Sequence, residues 1–130
     1  MKKILFIEDE QALQKTMGDR LSQDGYEVIP ALDGEIGLKL AEEKKPDLIL
    51  LDLILPKVQG LEVLKKLKEN KETKEIPVVV LTNLEEMEKV TKALELGATT
   101  YLVKANYSLE EVVGKIKHQV LNKNADKDEG

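Results

Sequence analysis

The chain has no cysteine and a single histidine, His118. The first absence excludes a disulfide scaffold, a Cys-based zinc site and a thiol nucleophile, and the second excludes a multi-histidine metal centre. No apolar run reaches the roughly 20 residues of a membrane span. Met1-Lys2-Lys3-Ile4 leads straight into a strand-like segment and not a signal peptide. A cytoplasmic protein that does not enter the membrane is expected. Excess positive charge is lacking as well. With 25 acidic and 20 basic residues the formal net charge is −5, which is poorly suited to holding nucleic acid by phosphate contacts. Direct nucleic-acid binding is not expected.

What the chain does contain fits one soluble domain: 130 residues, 42% apolar and 35% charged, enough to bury a core. Lysine and glutamate interleave along the helical stretches, as in Glu62 with Lys65 and Lys66, and read as solvated helix faces. Four short apolar runs without helical period are Ile4–Ile7, Leu48–Leu51, Val78–Leu81 and Tyr101–Val103. Runs apolar on both faces suit central strands of a parallel sheet covered on both sides. The segment 26–30 is a weaker strand whose Glu27 and Pro30 place it at an edge.

Helical patterns lie between the strands. Residues 10–23 align Leu13, Met17 and Leu21, with Gly25 past the end; residues 34–44 align Ile36, Leu40 and Ala41 before Pro46. Residues 59–69 stack Val63, Leu64 and Leu67, residues 84–96 carry Met87, Val90, Ala93 and Leu94 before Gly97, and residues 109–121 carry Val112, Val113 and Ile116. Asn83 with Glu86 and Ser108 with Glu111 read as capping boxes. Five βα units in succession imply an α/β fold, a mostly parallel five-stranded sheet with helices on both faces. From Asn122 on the chain is polar apart from one alanine, so a domain over 1–121 and a disordered tail over 122–130 are expected.

The four apolar strands stop at polar residues: Glu8-Asp9-Glu10, Asp52, Thr82 and Lys104. In a parallel sheet the carboxyl ends of the strands meet at one edge, where ligands bind. The shared pocket would hold carboxylates, a hydroxyl and an ammonium. Close carboxylates repel unless a cation is present. Oxygen donors without histidine or cysteine favour Mg²⁺. Lys104 and Thr82 suit an anion beside the metal, and a carboxylate can be the nucleophile of phosphoryl transfer. Each residue taken alone has a plainer reading: Asp9 as a helix N-cap, Glu10 as a first-turn acid, Thr82 as a strand end, Lys104 as a loop lysine. Asp52 resists one, because an acid between Leu48–Leu51 and Leu53-Ile54-Leu55 is costly unless paired.

At these residues the sequence resembles the receiver domain of response regulators in two-component signalling. The matching pieces are Ile4–Glu10, Pro46–Pro56 with Gly60, Ile76–Thr82, Gly97-Ala98 and Tyr101–Lys104, covering about residues 2–121. The resemblance implies the flavodoxin-like three-layer fold with strand order 2-1-3-4-5. It also implies that Asp52 accepts a phosphoryl group from a sensor histidine kinase or phosphotransfer protein. Asp9 would bind Mg²⁺ directly, Glu8 through water, and Asp52 and the Ile54 backbone carbonyl would complete the protein ligands. Lys104 would contact the phosphoryl group. Thr82 and Tyr101 would act as the switch, changing the surface of helix 4, strand 5 and helix 5 for a downstream effector or a phosphorylation-dependent homodimer. Such a protein catalyses only its own phosphorylation and dephosphorylation.

The chain departs from the family pattern at Ala105, where proline with a cis bond is usual, so a trans, differently shaped loop is expected. Asn83 replaces a very small residue and is expected to crowd the phosphoryl site. Apolar Ile54 and Leu84, two residues after Asp52 and Thr82, suggest a long-lived phosphoform. Rival readings are a haloacid-dehalogenase-type enzyme, which wants an acid where Ile54 stands, and a flavodoxin-like cofactor binder, whose phosphates Glu8-Asp9-Glu10 would repel. A receiver-fold interaction module independent of phosphorylation is the remaining alternative. His118 has no phosphotransfer motif around it and reads as a solvated helix residue.

Overall fold

The structure is a computed structural model that describes residues 2–104 and 108–129, with the side chains of Leu84 and of 120–129 outside the description. The elements follow the expected alternation: β1 (Lys3–Ile7), α1 (Gln11–Gln23), β2 (Glu27–Ala31), α2 (Gly34–Lys44), β3 (Leu48–Asp52) and α3 (Gly60–Glu69). Then come β4 (Val78–Thr82), a 3₁₀ turn (Leu84–Glu86), α4 (Glu88–Glu95), β5 (Thr100–Val103) and α5 (Leu109–Glu129). All strand pairs are parallel, in the order β2-β1-β3-β4-β5.

Alternation along each strand splits the core into two layers. Leu5, Ile7, Ile49, Leu51, Val78 and Val80 pack against Ala41, Val63, Leu64, Leu67 and Ala93 of α2, α3 and α4. Ile4, Phe6, Leu48, Leu50, Val79 and Leu81 face Met17 and Leu21 of α1 and Val112, Val113 and Ile116 of α5. Every residue of β3 and β4 is buried, which is why these strands read as unbroken apolar runs. At about 1.5–3 kcal/mol per fully buried aliphatic side chain, these two layers supply the main driving force for folding.

Several local expectations are corrected. The run at 101–103 belongs to the second edge strand, not a central one, and Tyr101 is 38% exposed. Ile36 and Leu94, expected on buried faces, are exposed. At α2 the close contact is made by Gly37 instead, where a Cβ would come within 2.6 Å of Ile7. The Ser108–Glu111 capping box forms, each residue's backbone N–H donating to the other's side chain. The Asn83–Glu86 box does not. The Glu86 N–H donates to the Asn83 carbonyl in a 3₁₀ turn, and α4 starts only at Glu88. Apart from these corrections, α5 spans Leu109–Glu129. Gly25 and Gly97 take the positive φ expected after their helices, 94° and 111°.

The β3–α3 connection is a tight passage of chain. A Cβ on Gly60 would lie 2.5 Å from the Leu53 Cα, 2.6 Å from the Asp52 carbonyl oxygen and 2.7 Å from the Leu53 carbonyl oxygen. These are backbone atoms, and a rotamer change cannot relieve them. Gly60→Ala is expected to destabilise the fold by about 2–4 kcal/mol, read as a lower urea midpoint at unchanged slope. A midpoint equal to that of the parent protein would mean that the loop after Asp52 moves freely.

Candidate functional site

The chain leaves β1 to build β2 on one side and returns to build β3 on the other, so the connections diverge at the carboxyl ends of β1 and β3. A crevice opens at such a switch point. Glu8 and Asp9 follow β1, and Asp52 is the last residue of β3. One carboxylate oxygen from each of Glu8, Asp9 and Asp52 lies within 4.8 Å of the other two. Asp9 is exposed, whereas Glu8 and Asp52 are only 1% and 4% exposed.

Lys104 follows β5, two strands away from β3, and its side chain spans the end of β4. Its ammonium donates at 2.9 Å to Glu8 Oε1 and at 2.9 Å to Asp52 Oδ2. The backbone fixes the other carboxylate oxygens. The Ile54 N–H donates to Asp52 Oδ1 at 3.0 Å, and the Glu10 N–H to Glu8 Oε2 at 3.2 Å. Burial first, and then the adjacent Asp52 carboxyl, push the Glu8 carboxyl up to about 8. Burial alone would pull Lys104 down. Its bonds to Asp52 and Glu8 outweigh that, and its pKa is raised. Among the described residues Lys104 is the one cation bonded to this cluster, and it reaches Glu8 and Asp52 but not Asp9.

Asp9 does not cap α1. The N-cap is Glu10, whose side chain makes no capping bond. The plainer explanation of Asp9 is thereby removed, and its carboxylate is left facing the cluster. Thr82 is buried at the end of β4 and donates to the Asn83 carbonyl at 3.1 Å. Ile54, 39% exposed, flanks the pocket. Ala105 lies outside the described residues, and so does the side chain of Leu84. His118 is an exposed residue of α5, away from this edge of the sheet.

Sequence reasoning missed Gln14. It lies on the buried stripe of α1 with Met17 and Leu21, and its amide nitrogen is placed against the carbonyls of Phe6, Glu8 and Ala31. A polar side chain spaced i, i+3, i+7 with two core residues was the available signal.

The donor set is all oxygen, with two buried acids and an exposed one beside them. That suits a hard divalent cation, and the raised Glu8 shows why one would be welcome there. The comparisons with known proteins agree with this chemistry. The pattern of the response regulator receiver domain matches residues 4–117. The alkaline phosphatase synthesis transcriptional regulatory protein PhoP of Bacillus subtilis is 43% identical over 116 residues, covering 89% of this chain and 47% of that protein. The DNA-binding dual master transcriptional regulator RpaA of Synechocystis is 38% identical over 117 residues, covering 90% and 48%. The chain spans about half the length of the curated relatives it matches. Among solved structures, a response regulator receiver domain protein of Methanospirillum hungatei superposes with a TM-score of 0.86 at 27% identity, covering 100% of this chain and 99% of that one. The chemotaxis protein CheY4 of Vibrio cholerae gives 0.82 at 29% identity, covering 91% and 98%. Receiver domains generally bind Mg²⁺ in an acidic pocket, and this pocket has the donors for it. A pattern match over most of the chain, the strand order and the acidic switch-point crevice lead to one assignment: the chain belongs to the response regulator receiver domain family.

Proposed function

We propose that Asp52 is the phosphoacceptor of a two-component switch. The observation that carries this is the Asp52 carboxylate itself. It is buried at the switch point, one oxygen held by the Ile54 N–H and the other by Lys104, with Glu8 and Asp9 beside it. In the reaction an Asp52 carboxylate oxygen forms the bond to phosphorus while the bond from phosphorus to the donor's leaving group breaks; the leaving group departs with that electron pair and, where it is basic, takes a proton from solvent. Glu8, Asp9, Asp52 and the Ile54 backbone carbonyl would hold Mg²⁺. Once bound, that ion neutralises charge on the phosphoryl oxygens. Lys104 would turn from its carboxylate partners toward the transferred group. Thr82 would exchange its bond to the Asn83 carbonyl for one to a phosphoryl oxygen, and outward-facing Tyr101 would follow it inward. A small charge event would thereby bias the α4-β5-α5 surface.

The donor is a sensor histidine kinase or phosphotransfer protein, and residues 1–121 are the switching unit. Phosphorylation-dependent pairing through the α4-β5-α5 face is one output; a downstream effector is the other. Because relatives are named transcriptional regulators, that effector is proposed to act in transcription control. Among the described residues no helix is long and apolar enough to cross a membrane, which fits the proposed cytoplasmic setting.

Intact mass after incubation with acetyl phosphate tests the assignment. One phosphoryl adduct is expected with Mg²⁺ and none without it or in Asp52→Asn. No adduct on folded protein in excess Mg²⁺ would overturn it and favour the interaction module that works without phosphorylation.

A further inference from the structure

Gln14 is a buried amide facing backbone, not other side chains. Its nitrogen lies 2.7 Å from the Phe6 carbonyl oxygen, 3.2 Å from that of Glu8 and 3.1 Å from that of Ala31. The Ala31 carbonyl also accepts from the Glu8 N–H at 2.9 Å. The Glu8 backbone is therefore held on both sides: its N–H donates to Ala31, and its carbonyl shares the two Gln14 amide hydrogens with the carbonyls of Phe6 and Ala31. This ring of bonds ties the end of β1, the end of β2 and the first turns of α1 together. It sets the direction in which the Glu8 Cα–Cβ bond leaves the backbone.

The arrangement carries a penalty. Gln14 is 8% exposed, and its Oε1 is buried without a hydrogen-bond partner. An aliphatic residue would pack on the stripe of Met17 and Leu21 without an orphaned carbonyl. Packing of α1 does not explain a glutamine here; the carbonyls at the strand ends do.

We infer that Gln14 is a positioning residue of the acidic pocket, holding the Glu8-Asp9 segment in the geometry that binds the divalent cation. This rests on the function proposed above. Gln14 would touch neither the cation nor the phosphoryl group; it acts through the Glu8 backbone, next to the acids that would hold the cation. Groups that orient metal ligands in this way change affinity by about 10–100-fold when removed.

The test compares Gln14→Met with Leu21→Val, a core truncation on the same helix face, in two assays: Mn²⁺ binding by isothermal titration and Mg²⁺ dependence of acetyl-phosphate labelling. Gln14→Met is expected to weaken Mn²⁺ binding and to raise the half-saturating Mg²⁺ about tenfold, with the labelling rate restored at saturating Mg²⁺. Leu21→Val should lower the melting temperature and leave both metal readouts at the parent values. Gln14→Ala, in which water can replace the amide, gives a second variant should the methionine not fold, and a smaller shift in the same direction is expected. Parent metal affinity in the folded Gln14 variants would overturn the inference while leaving the phosphoacceptor assignment standing. If the parent protein itself neither binds Mn²⁺ nor labels, the assignment of the pocket fails and this inference falls with it.

Discussion

Lys104→Ala is expected to slow phosphoryl transfer to Asp52 by about a hundredfold, the usual consequence of removing one preorganised charge from a site where negative charge gathers. The same substitution should not weaken binding of the divalent cation and should strengthen it. In the metal-free protein the Lys104 ammonium already occupies part of the cation's electrostatic role, bonded at 2.9 Å to both Glu8 and Asp52, so metal and lysine compete. Removing it also leaves two buried carboxyls without their counter-charge. Breaking a fully buried pair costs about 3–5 kcal/mol. About 2 kcal/mol is expected here, because the Lys104 side chain is 24% exposed and Glu8 can take up a proton instead. Rapid-quench labelling, Mn²⁺ titration and urea denaturation read the three effects separately. A labelling rate unchanged in Lys104→Ala at saturating Mg²⁺ would remove Lys104 from the transfer step.

Without metal, the protein is expected to lose stability between pH 5 and pH 8, in contrast to the usual behaviour of an acid held ionised by a salt bridge. The cause is Glu8, whose carboxyl burial and Asp52 raise to about 8 from an ordinary value of 4.5. Between those values the folded state holds a proton that the unfolded state has released. The stabilisation linked to Glu8 is thus complete below the unfolded pKa and disappears as pH rises through the folded one. The limiting slope is about 1.4 kcal/mol per pH unit for one proton. Glu8→Gln imitates the protonated form, so it should flatten the profile and raise metal-free stability at pH 8 while weakening cation binding. Mg²⁺ binds the ionised pocket, so excess Mg²⁺ should stabilise the parent protein more at pH 8 than at pH 5. Urea midpoints across this range, with and without Mg²⁺, provide the measurement. A metal-free profile that is identical in Glu8→Gln and the parent would place the titration elsewhere.

The alternation of elements was legible because its physics is local. Apolar runs of three or four residues with no helical period, separated by amphipathic stretches, admit few arrangements other than a parallel sheet between helices. Glu8, Asp9, Asp52, Thr82 and Lys104 stood out because polar residues at the ends of buried strands demand an explanation. The misreadings share a cause as well. Ile36 and Leu94 fit the helical period yet face solvent, because the depth of a helix is set by whichever neighbour approaches closest, as Gly37 does at Ile7. The Asn83 capping box required a helix that starts at residue 84, and the chain makes a 3₁₀ turn there first.

By itself the sequence determined the order of strands and helices, the two-sided apolar patterning and the identity of the acids and the lysine, since each depends on residue type and spacing along the chain. Only the tertiary structure decided that Lys104 reaches across β4 to pair with both Glu8 and Asp52, that Asp9 is free of helix capping, and that Gln14 locks the backbone beneath the acidic pair. Those contacts join residues of different elements, and the burial of Glu8 and Asp52 beside exposed Asp9 at the switch point is what makes an acidic pocket of residues distant in sequence.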